Sequence, residues 1–229
     1  MEVFEYRNVV IETPNSAQAE AYRKLELNIR MSSIDKEHQV IQVTSATPED
    51  GKTTTAINLA AVYAEKGKKV LILDFDFRRP KIHRAFHKIN DIGFYDFIID
   101  NKSIDTVIIK DESKIDLILT GNQMPSPHVM LQSKKVSDLI ESLRTQYDYI
   151  IVDSPPVLTV TDALIISHLV DAVIYVVAYK QTKKDKAKQA LNQLKENNAN
   201  VIGTVLSNID IKKNSEYSYY YYYNQGENK

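Results

Sequence analysis

Cysteine and tryptophan are absent from this chain, glycine occurs only six times, and neither sign of charge predominates. Without cysteine there is no disulfide framework, no thiolate metal site and no thiol redox chemistry, which suits a reducing compartment. With 29 basic against 30 acidic residues the net charge is -1, so no global field draws the protein to nucleic acid or to an anionic membrane. Long apolar runs are missing too. The longest nearly uncharged one, residues 172–179, falls far short of the roughly 20 residues that cross a bilayer. Residues 1–5 also lack the basic start and apolar stretch of a secretory signal. The expectation is a protein that stays where it is made and has no nucleic-acid partner.

What is present suits one large domain, since 229 residues at 43% hydrophobic content can bury a real core. Strand-like runs at 40–44, 69–73, 115–119, 149–153, 172–178 and 201–206 alternate with helix-like ones at 17–30, 53–66, 81–87, 95–100, 134–146, 162–168 and 183–195. That alternation predicts an α/β fold, a mainly parallel sheet with helices on both faces. Residues 1–15 read as an extended arm ending at Pro14-Asn15. Ser16 then caps an amphipathic helix in which Tyr22, Leu25 and Ile29 share one face, while Glu20, Arg23 and Arg30 project from others. Residues 106–109 are a short apolar piece, and residues 124–127 read as a rigid connector. His83 and His87 stand four apart, but no third ligand has metal-site spacing, so they read as structural or surface residues.

The most informative stretch is Ser45-Ala46-Thr47-Pro48-Glu49-Asp50-Gly51-Lys52-Thr53-Thr54-Thr55, between an apolar strand and a helix. It departs by one residue from G-x-x-x-x-G-K-[ST], with Ala46 in place of the first glycine. In such a loop successive backbone N–H groups curl round a phosphate, Lys52 reaches the terminal phosphates and Thr53 holds Mg²⁺. The helix that follows adds unpaired N–H groups and the positive end of its dipole.

Two more strands end in carboxylates. Leu73-Asp74-Phe75-Asp76 places two side chains pointing the same way, because strand side chains repeat every second residue. Their repulsion is tolerable if a cation sits between them or a proton is taken up nearby, so they read as Mg²⁺-linked or basic groups. Ile150-Ile151-Val152-Asp153 has the form of the strand whose aspartate supports the Mg²⁺ shell in phosphate-loop ATPases. Asn208 stands at the exit of the last strand, where ligands collect in open α/β sheets. Beyond it, Tyr217 and the run Tyr219-Tyr220-Tyr221-Tyr222-Tyr223 hold six of the chain's 14 tyrosines without helix or strand periodicity. The expectation is a flexible tail at 211–229 whose phosphorylation would add roughly 1.5–2 negative charges per site.

The phosphate loop, Leu73-Asp74-Phe75-Asp76-Phe77-Arg78-Arg79-Pro80, the strand running into Asp153-Ser154-Pro155-Pro156 and the tyrosine tail, in that order, resemble the bacterial tyrosine kinase (BY-kinase) family. The likeness is greatest to the CapB-type kinases of capsule synthesis. This resemblance implies a phosphate-loop NTPase fold of the ParA/MinD-like group at residues 1–210. It implies ATP and Mg²⁺ as cofactors, and phosphorylation of the chain's own tyrosines. Pro48, Glu49, Asp50, Gly51, Lys52, Thr53 and Thr54 would hold the nucleotide, with Asn208 near the adenine. Thr53, Asp74, Asp76 and Asp153 would hold Mg²⁺, partly through water, and Asp74 would be the base for the tyrosine hydroxyl. Tyr217 and Tyr219 to Tyr223 would be phosphoacceptors. Glu20 and Arg23, in the helix at 16–31, resemble the start of the family's E-x-x-R-x-x-R oligomerisation motif, with Glu26 replacing its second arginine. The likeness further implies a ring of subunits, a membrane adaptor that activates the kinase, sugar-nucleotide enzymes as further substrates, and a cytoplasmic location peripheral to the membrane.

Two other readings share some of these residues. A positioning ATPase of the ParA and MinD kind would have the loop and the strand aspartate, but an early lysine at the place of Thr47 and no tyrosine-rich tail. A non-catalytic nucleotide-binding regulator would use the tail only to dock a partner.

Overall fold

The computed structural model of the protein describes residues 6–32 and 37–209, so the tyrosine cluster lies outside the described residues. Six strands form one sheet: β1 (Val40–Ser45), β2 (Val70–Asp74), β3 (Ile115–Ile118), β4 (Tyr149–Asp153), β5 (Ala172–Ala178) and β6 (Val201–Ser207). Their order is β3-β2-β4-β1-β5-β6, and every neighbouring pair is parallel. The helices are α1 (Val9–Glu12), α2 (Ala17–Met31), α3 (Lys52–Glu65), α4 (Ile82–Ala85), α5 (Phe94–Ile98), α6 (Ile104–Val107), α7 (Pro127–Leu131), α8 (Lys134–Arg144), α9 (Asp162–Ile166) and α10 (Lys184–Glu196). Among the described residues no helix is long and apolar enough to cross a membrane.

Strands β1 to β5 are buried on both faces because they alternate between apolar layers, and β6 at the edge is half exposed. Ile41, Val43, Val70, Ile72, Tyr149, Ile151, Ile174 and Val176 pack with α3 on one face. Leu71, Leu73, Ile150 and Val152 pack on the other with α8, through Val136, Leu139, Ile140 and Leu143. Asp74 and Asp153 stand opposite each other in register and continue the face that carries α3. Helix α3 is apolar nearly all round, for α2 and α1 cover the side turned away from the sheet.

Two segments differ from what the sequence suggests. Within the arm at 1–15, Val9–Glu12 is a helical turn. Asn8 and Glu12 cap it reciprocally, Asn8 Oδ1 accepting from Ile11 N (3.3 Å) and Glu12 Oε1 from Asn8 N (3.0 Å). Asn58 of α3 anchors the turn from below, donating to the Arg7 carbonyl (2.9 Å) and accepting from Val10 N (3.2 Å), with Val10 buried in the core. Four residues are too few to show a period, and tertiary contacts supply the stability. The connector at 124–127 leads directly into α7, with Pro127 in the first turn, a place where the missing N–H costs nothing.

At the N-terminal edge of the sheet Arg144 grips Asp171 through two hydrogen bonds of 2.7 and 3.0 Å. Asp171 also accepts from Gln39 N and Val40 N, which ties α8 to the starts of β1 and β5. Burial works against an ionised Asp171, but Arg144 and the two amides outweigh it and hold the carboxyl below its usual range. Asp171→Ala is therefore expected to destabilise the fold by about 1–3 kcal/mol at pH 7, because it removes the acceptor of the Gln39 and Val40 amides and leaves Arg144 with Glu141 alone, the ion-pair share being reduced by solvent screening. The contribution is present above the ordinary carboxylate range and is lost as pH falls through the depressed value. Urea unfolding should accordingly show the variant's deficit at pH 7 shrinking in strong acid, and an equal deficit at both pH values would refute this account.

Candidate active site

β1 lies where the strand order reverses, with β4 on one side and β5 on the other, so the loop after it opens at the switch point where α/β sheets bind ligands. The loop is held from behind. The Asp50 carboxylate accepts from Thr47 N (2.8 Å), from Thr47 Oγ1 and from Thr182 Oγ1 (2.7 Å), and Ser207 Oγ donates to the Asp50 carbonyl (2.6 Å). Asp50 thus offers a ligand only its backbone N–H, while its side chain braces the loop against the turn after β5 and its carbonyl is tied to Ser207 at the end of β6. Gly51 has φ 89°, and a Cβ there would come within 3.1 Å of Ser207, so both the backbone angle and the space demand glycine.

In front of the loop is a cavity of about 240 Å³ lined by Tyr6, Glu49, Gly51, Lys52, Thr53, Thr54, Lys81, Gln181 and Asn208. The sequence reading placed Glu49, Gly51, Lys52, Thr53, Thr54 and Asn208 at this site, and all of them line it. Pro48 is exposed and does not. Three lining residues went unread. Tyr6 arrives from the N-terminal arm, Gln181 from the turn after β5, and Lys81 from the start of α4. Only Lys81 had a signal, a cation seven residues beyond Asp74. Gln181 also accepts a hydrogen bond from Asn208 Nδ2 (3.2 Å).

At the inner end of the cavity the charged residues meet. Lys52 Nζ pairs with Asp76 at 3.2 Å, both nearly fully buried, and Thr53 Oγ1 donates to Asp153 Oδ2 at 2.7 Å. Asp74 is saturated by backbone. Lys81 N and Ile82 N donate to its Oδ2, both at 3.1 Å, and Asp76 N to its Oδ1 at 3.3 Å. Burial and then the charge of Asp153 push the Asp74 carboxyl well above its ordinary range, with the Ile82 N–H pulling the other way. Burial likewise raises Asp153 to about 6, although Lys52 and Thr53 oppose the shift. For Lys52 burial favours the neutral amine, but Asp153 and Asp76 outweigh it and keep the ammonium charged.

Three buried carboxylates surround a single buried ammonium, Lys52, with Lys81 further out at the cavity wall, and Asp153 Oδ1 has no hydrogen-bond partner. This donor set fits Mg²⁺. Among the described residues no group of three or more His, Asp or Glu side chains could hold a metal unaided. Mg²⁺ characteristically takes one or two protein oxygens and completes its shell with water and phosphate. Asp74 and Asp76 are engaged by backbone and by Lys52, so Thr53 and Asp153 are the residues that would hold the ion directly.

Residues 38–212 match the AAA domain family. The tyrosine-protein kinase YwqD of Bacillus subtilis is 35% identical over 216 residues, spanning 93% of this chain and 91% of that protein. The chain belongs to the bacterial tyrosine-protein kinase family. As a protein-tyrosine kinase it also superposes on the chimerical protein CapA2B2, with TM-score 0.83 and 35% identity over 86% of the kinase and 88% of that chain. A ParA family ATPase from Chlorobium tepidum, 23% identical with TM-score 0.64 over 78% and 77% of the two chains, shares the fold.

Glu20 and Arg23 lie on α2, beyond α3 from the sheet. Arg23 holds Glu65 of α3 through two hydrogen bonds, of 2.9 and 2.8 Å, and Glu20 is 3.6 Å from Arg23. Glu26, three residues after Arg23, is buried and paired with Lys66 and Arg30 of its own chain.

Proposed function

We propose that this kinase transfers the γ-phosphoryl group of ATP to Tyr217 and Tyr219 to Tyr223 and acts in capsular or exopolysaccharide synthesis with a membrane adaptor. The observation that carries the chemistry is that Lys52 and Thr53, which line the phosphate-loop cavity, are bonded to the buried carboxylates of Asp76 and Asp153. The loop amides and Lys52 cradle the phosphates, and Thr53 and Asp153 hold the metal. Bound there, Mg²⁺ neutralises charge on the transferring group. The bond between the γ-phosphorus and the ADP oxygen breaks, one to the phenol oxygen forms, and the phenol proton passes to a carboxylate. A phenol has an unperturbed pKa of about 10, so a carboxylate raised above its normal range is the better acceptor. Asp74 is the carboxylate assigned this role, which it fills only while ionised, and its burial means that the segment between Asp76 and Lys81 must move to admit the acceptor.

Glu20 and Arg23 on α2 support assembly into a ring, with Glu26 serving its own subunit. A cytoplasmic site beside the membrane, held there by the adaptor, and sugar-nucleotide enzymes as further substrates belong to the same proposal.

The test is to incubate the full chain and the adaptor's cytoplasmic segment with labelled ATP and Mg²⁺ and map the tail by mass spectrometry. Phosphotyrosine at 217–223 is the expected result. Free phosphate alone would instead indicate a positioning ATPase, and no turnover a regulator.

A further inference from the structure

Lys52 is already engaged before any nucleotide arrives, lying 3.2 Å from Asp76 with Asp74 and Asp153 buried close by. A triphosphate brings further negative charge to a place where carboxylates outnumber ammonium groups. Mg²⁺ bridges the phosphates, but the outer oxygens of the terminal group still call for donors. A second cation lines the same cavity. Lys81 is half-buried in its wall, and among the described residues no carboxylate pairs with its ammonium. Its Nζ rests instead over the Tyr6 ring, 5.2 Å from the ring centre. A ring face holds an ammonium weakly and leaves its charge and its N–H donors available to an anion. Tyr6 is placed by α3, since the carbonyl of the next residue, Arg7, accepts from Asn58 Nδ2 at 2.9 Å.

The place of Lys81 along the nucleotide follows from the sheet. The phosphate loop leaves β1, with β4 and then β2 on one side and β5 and then β6 on the other. Gln181 and Asn208 reach the cavity from the β5 and β6 side, whereas Asp76, Asp153 and Lys81 belong to the β2 and β4 side. A nucleotide whose base lies at the Asn208 end turns its terminal phosphate toward β2 and β4. Lys81 is fixed there by its backbone, its N–H donating to Asp74 Oδ2 at 3.1 Å. Its charge also reaches the inner end of the cavity. Burial raises the Asp153 carboxyl, Lys52 is the chief opposing group, and Lys81 adds to that opposition.

We propose that Lys81 is a second phosphate-binding cation, which swings from the Tyr6 ring onto the γ-phosphoryl group of ATP and has no partner in ADP. The assignment deepens the kinase reading and rests on it for the identity of the transferred group. Lys52 reaches the phosphates from the loop and Lys81 from the start of α4, so the two ammonium groups close on the terminal phosphate from different walls. The flexible four-carbon stem of lysine permits the swing. Lys81 keeps its proton throughout and donates a hydrogen bond that strengthens as charge builds on the oxygens of the transferring group. Once that group has left, the ammonium returns to Tyr6 and ADP is held without it.

The test is calorimetric titration of the full chain, with Mg²⁺ present, by ADP and by the β,γ-imido analogue of ATP. Lys81→Met keeps the stem and the backbone donor to Asp74 and removes the charge. It should lower affinity for the ATP analogue by about ten- to a hundredfold, the scale of a charge-assisted hydrogen bond, and leave ADP affinity within about threefold. Retained ADP affinity also shows that the variant is folded. Lys81→Arg should recover most of the loss, and Lys188→Met, the same charge change at an exposed position of α10, should alter neither affinity. If Lys81→Met weakens both nucleotides alike, the lysine serves Asp74 and Asp153 and not the γ-phosphoryl group, and the assignment falls. It falls too if neither affinity changes. Tyrosine labelling by the unsubstituted chain is scored separately. Labelled tyrosine together with unchanged analogue binding by Lys81→Met removes the Lys81 assignment and leaves the kinase reading standing. The expected binding difference without any labelled tyrosine removes the kinase reading and leaves Lys81 as a γ-phosphate contact.

Discussion

Lys52→Met is expected to lower phosphoryl transfer to the tail by at least about 10³-fold, the scale on which a preorganised charge at a transition state acts. The ammonium is buried, held charged by Asp76 and Asp153, and sits at the inner end of the cavity. Methionine fills a similar volume, so the loss is mainly electrostatic. A second consequence separates this site from a surface lysine. Without Lys52, Asp76 and Asp153 are left buried without their cation, so the nucleotide-free variant should also melt at lower temperature at neutral pH. Incorporation of labelled phosphate into residues 217–223 and a thermal melt of the same sample check both effects. If the variant still labels the tail, the site is misassigned.

Asp153→Asn should act in opposite directions on binding and on stability. On the proposed role of Asp153 as a Mg²⁺ ligand, its loss should lower Mg²⁺-dependent nucleotide affinity by about 10- to 100-fold. The nucleotide-free protein should nevertheless become more stable at pH 7.5. Burial lifts Asp153 from an ordinary carboxylate value to about 6. A raised carboxyl favours folding while protonated, so its contribution is full below the unfolded value near 3.9 and is lost as pH rises through about 6. At pH 7.5 the native state therefore carries the cost of an ionised buried group, of the order of 1–3 kcal/mol, which asparagine relieves. Calorimetric melts at pH 5 and pH 7.5 without metal should show the gain only at the higher pH. A destabilised variant at pH 7.5 would contradict it.

Strands β1 to β5 were legible because they are buried on both faces and so appear as largely apolar runs, while the half-exposed edge strand β6 was legible from its β-branched residues. Residues 149–153 and 172–178 coincide with β4 and β5, and the other four agree to within one residue at each end. Their lateral order was not legible, since periodicity says nothing about which strand lies beside which. The short helices were placed loosely, as one or two turns depend on tertiary contacts. At the site the sequence supplied the chemistry. Lys52, Thr53, Asp74, Asp76 and Asp153 do converge, because each lies at or just beyond the end of a strand. Their division of labour was hidden. That Asp74 is capped by the amides of α4, and that Asp50 turns its carboxylate back into its own loop, depends on loop geometry that no spacing rule encodes. Tyr6 and Gln181 reach the cavity from segments without a motif. Glu26, conspicuous in sequence as a departure from an arginine, proves to be a buried anion matched by Lys66, an intrachain pairing that single-chain pattern matching does not reveal.

Helix α3 begins at the phosphate loop with Lys52 and ends at Glu65, where Arg23 of α2 takes hold, and midway Asn58 grips the N-terminal turn. The element that touches nucleotide at one end thus carries the outer helix along its length. If the surface of α2 joins subunits, ATP and assembly act on one rigid body, and their effects are thermodynamically linked. Whatever factor assembly adds to nucleotide affinity, nucleotide must add to assembly. A membrane partner that gathers subunits would then raise ATP occupancy without touching the cavity.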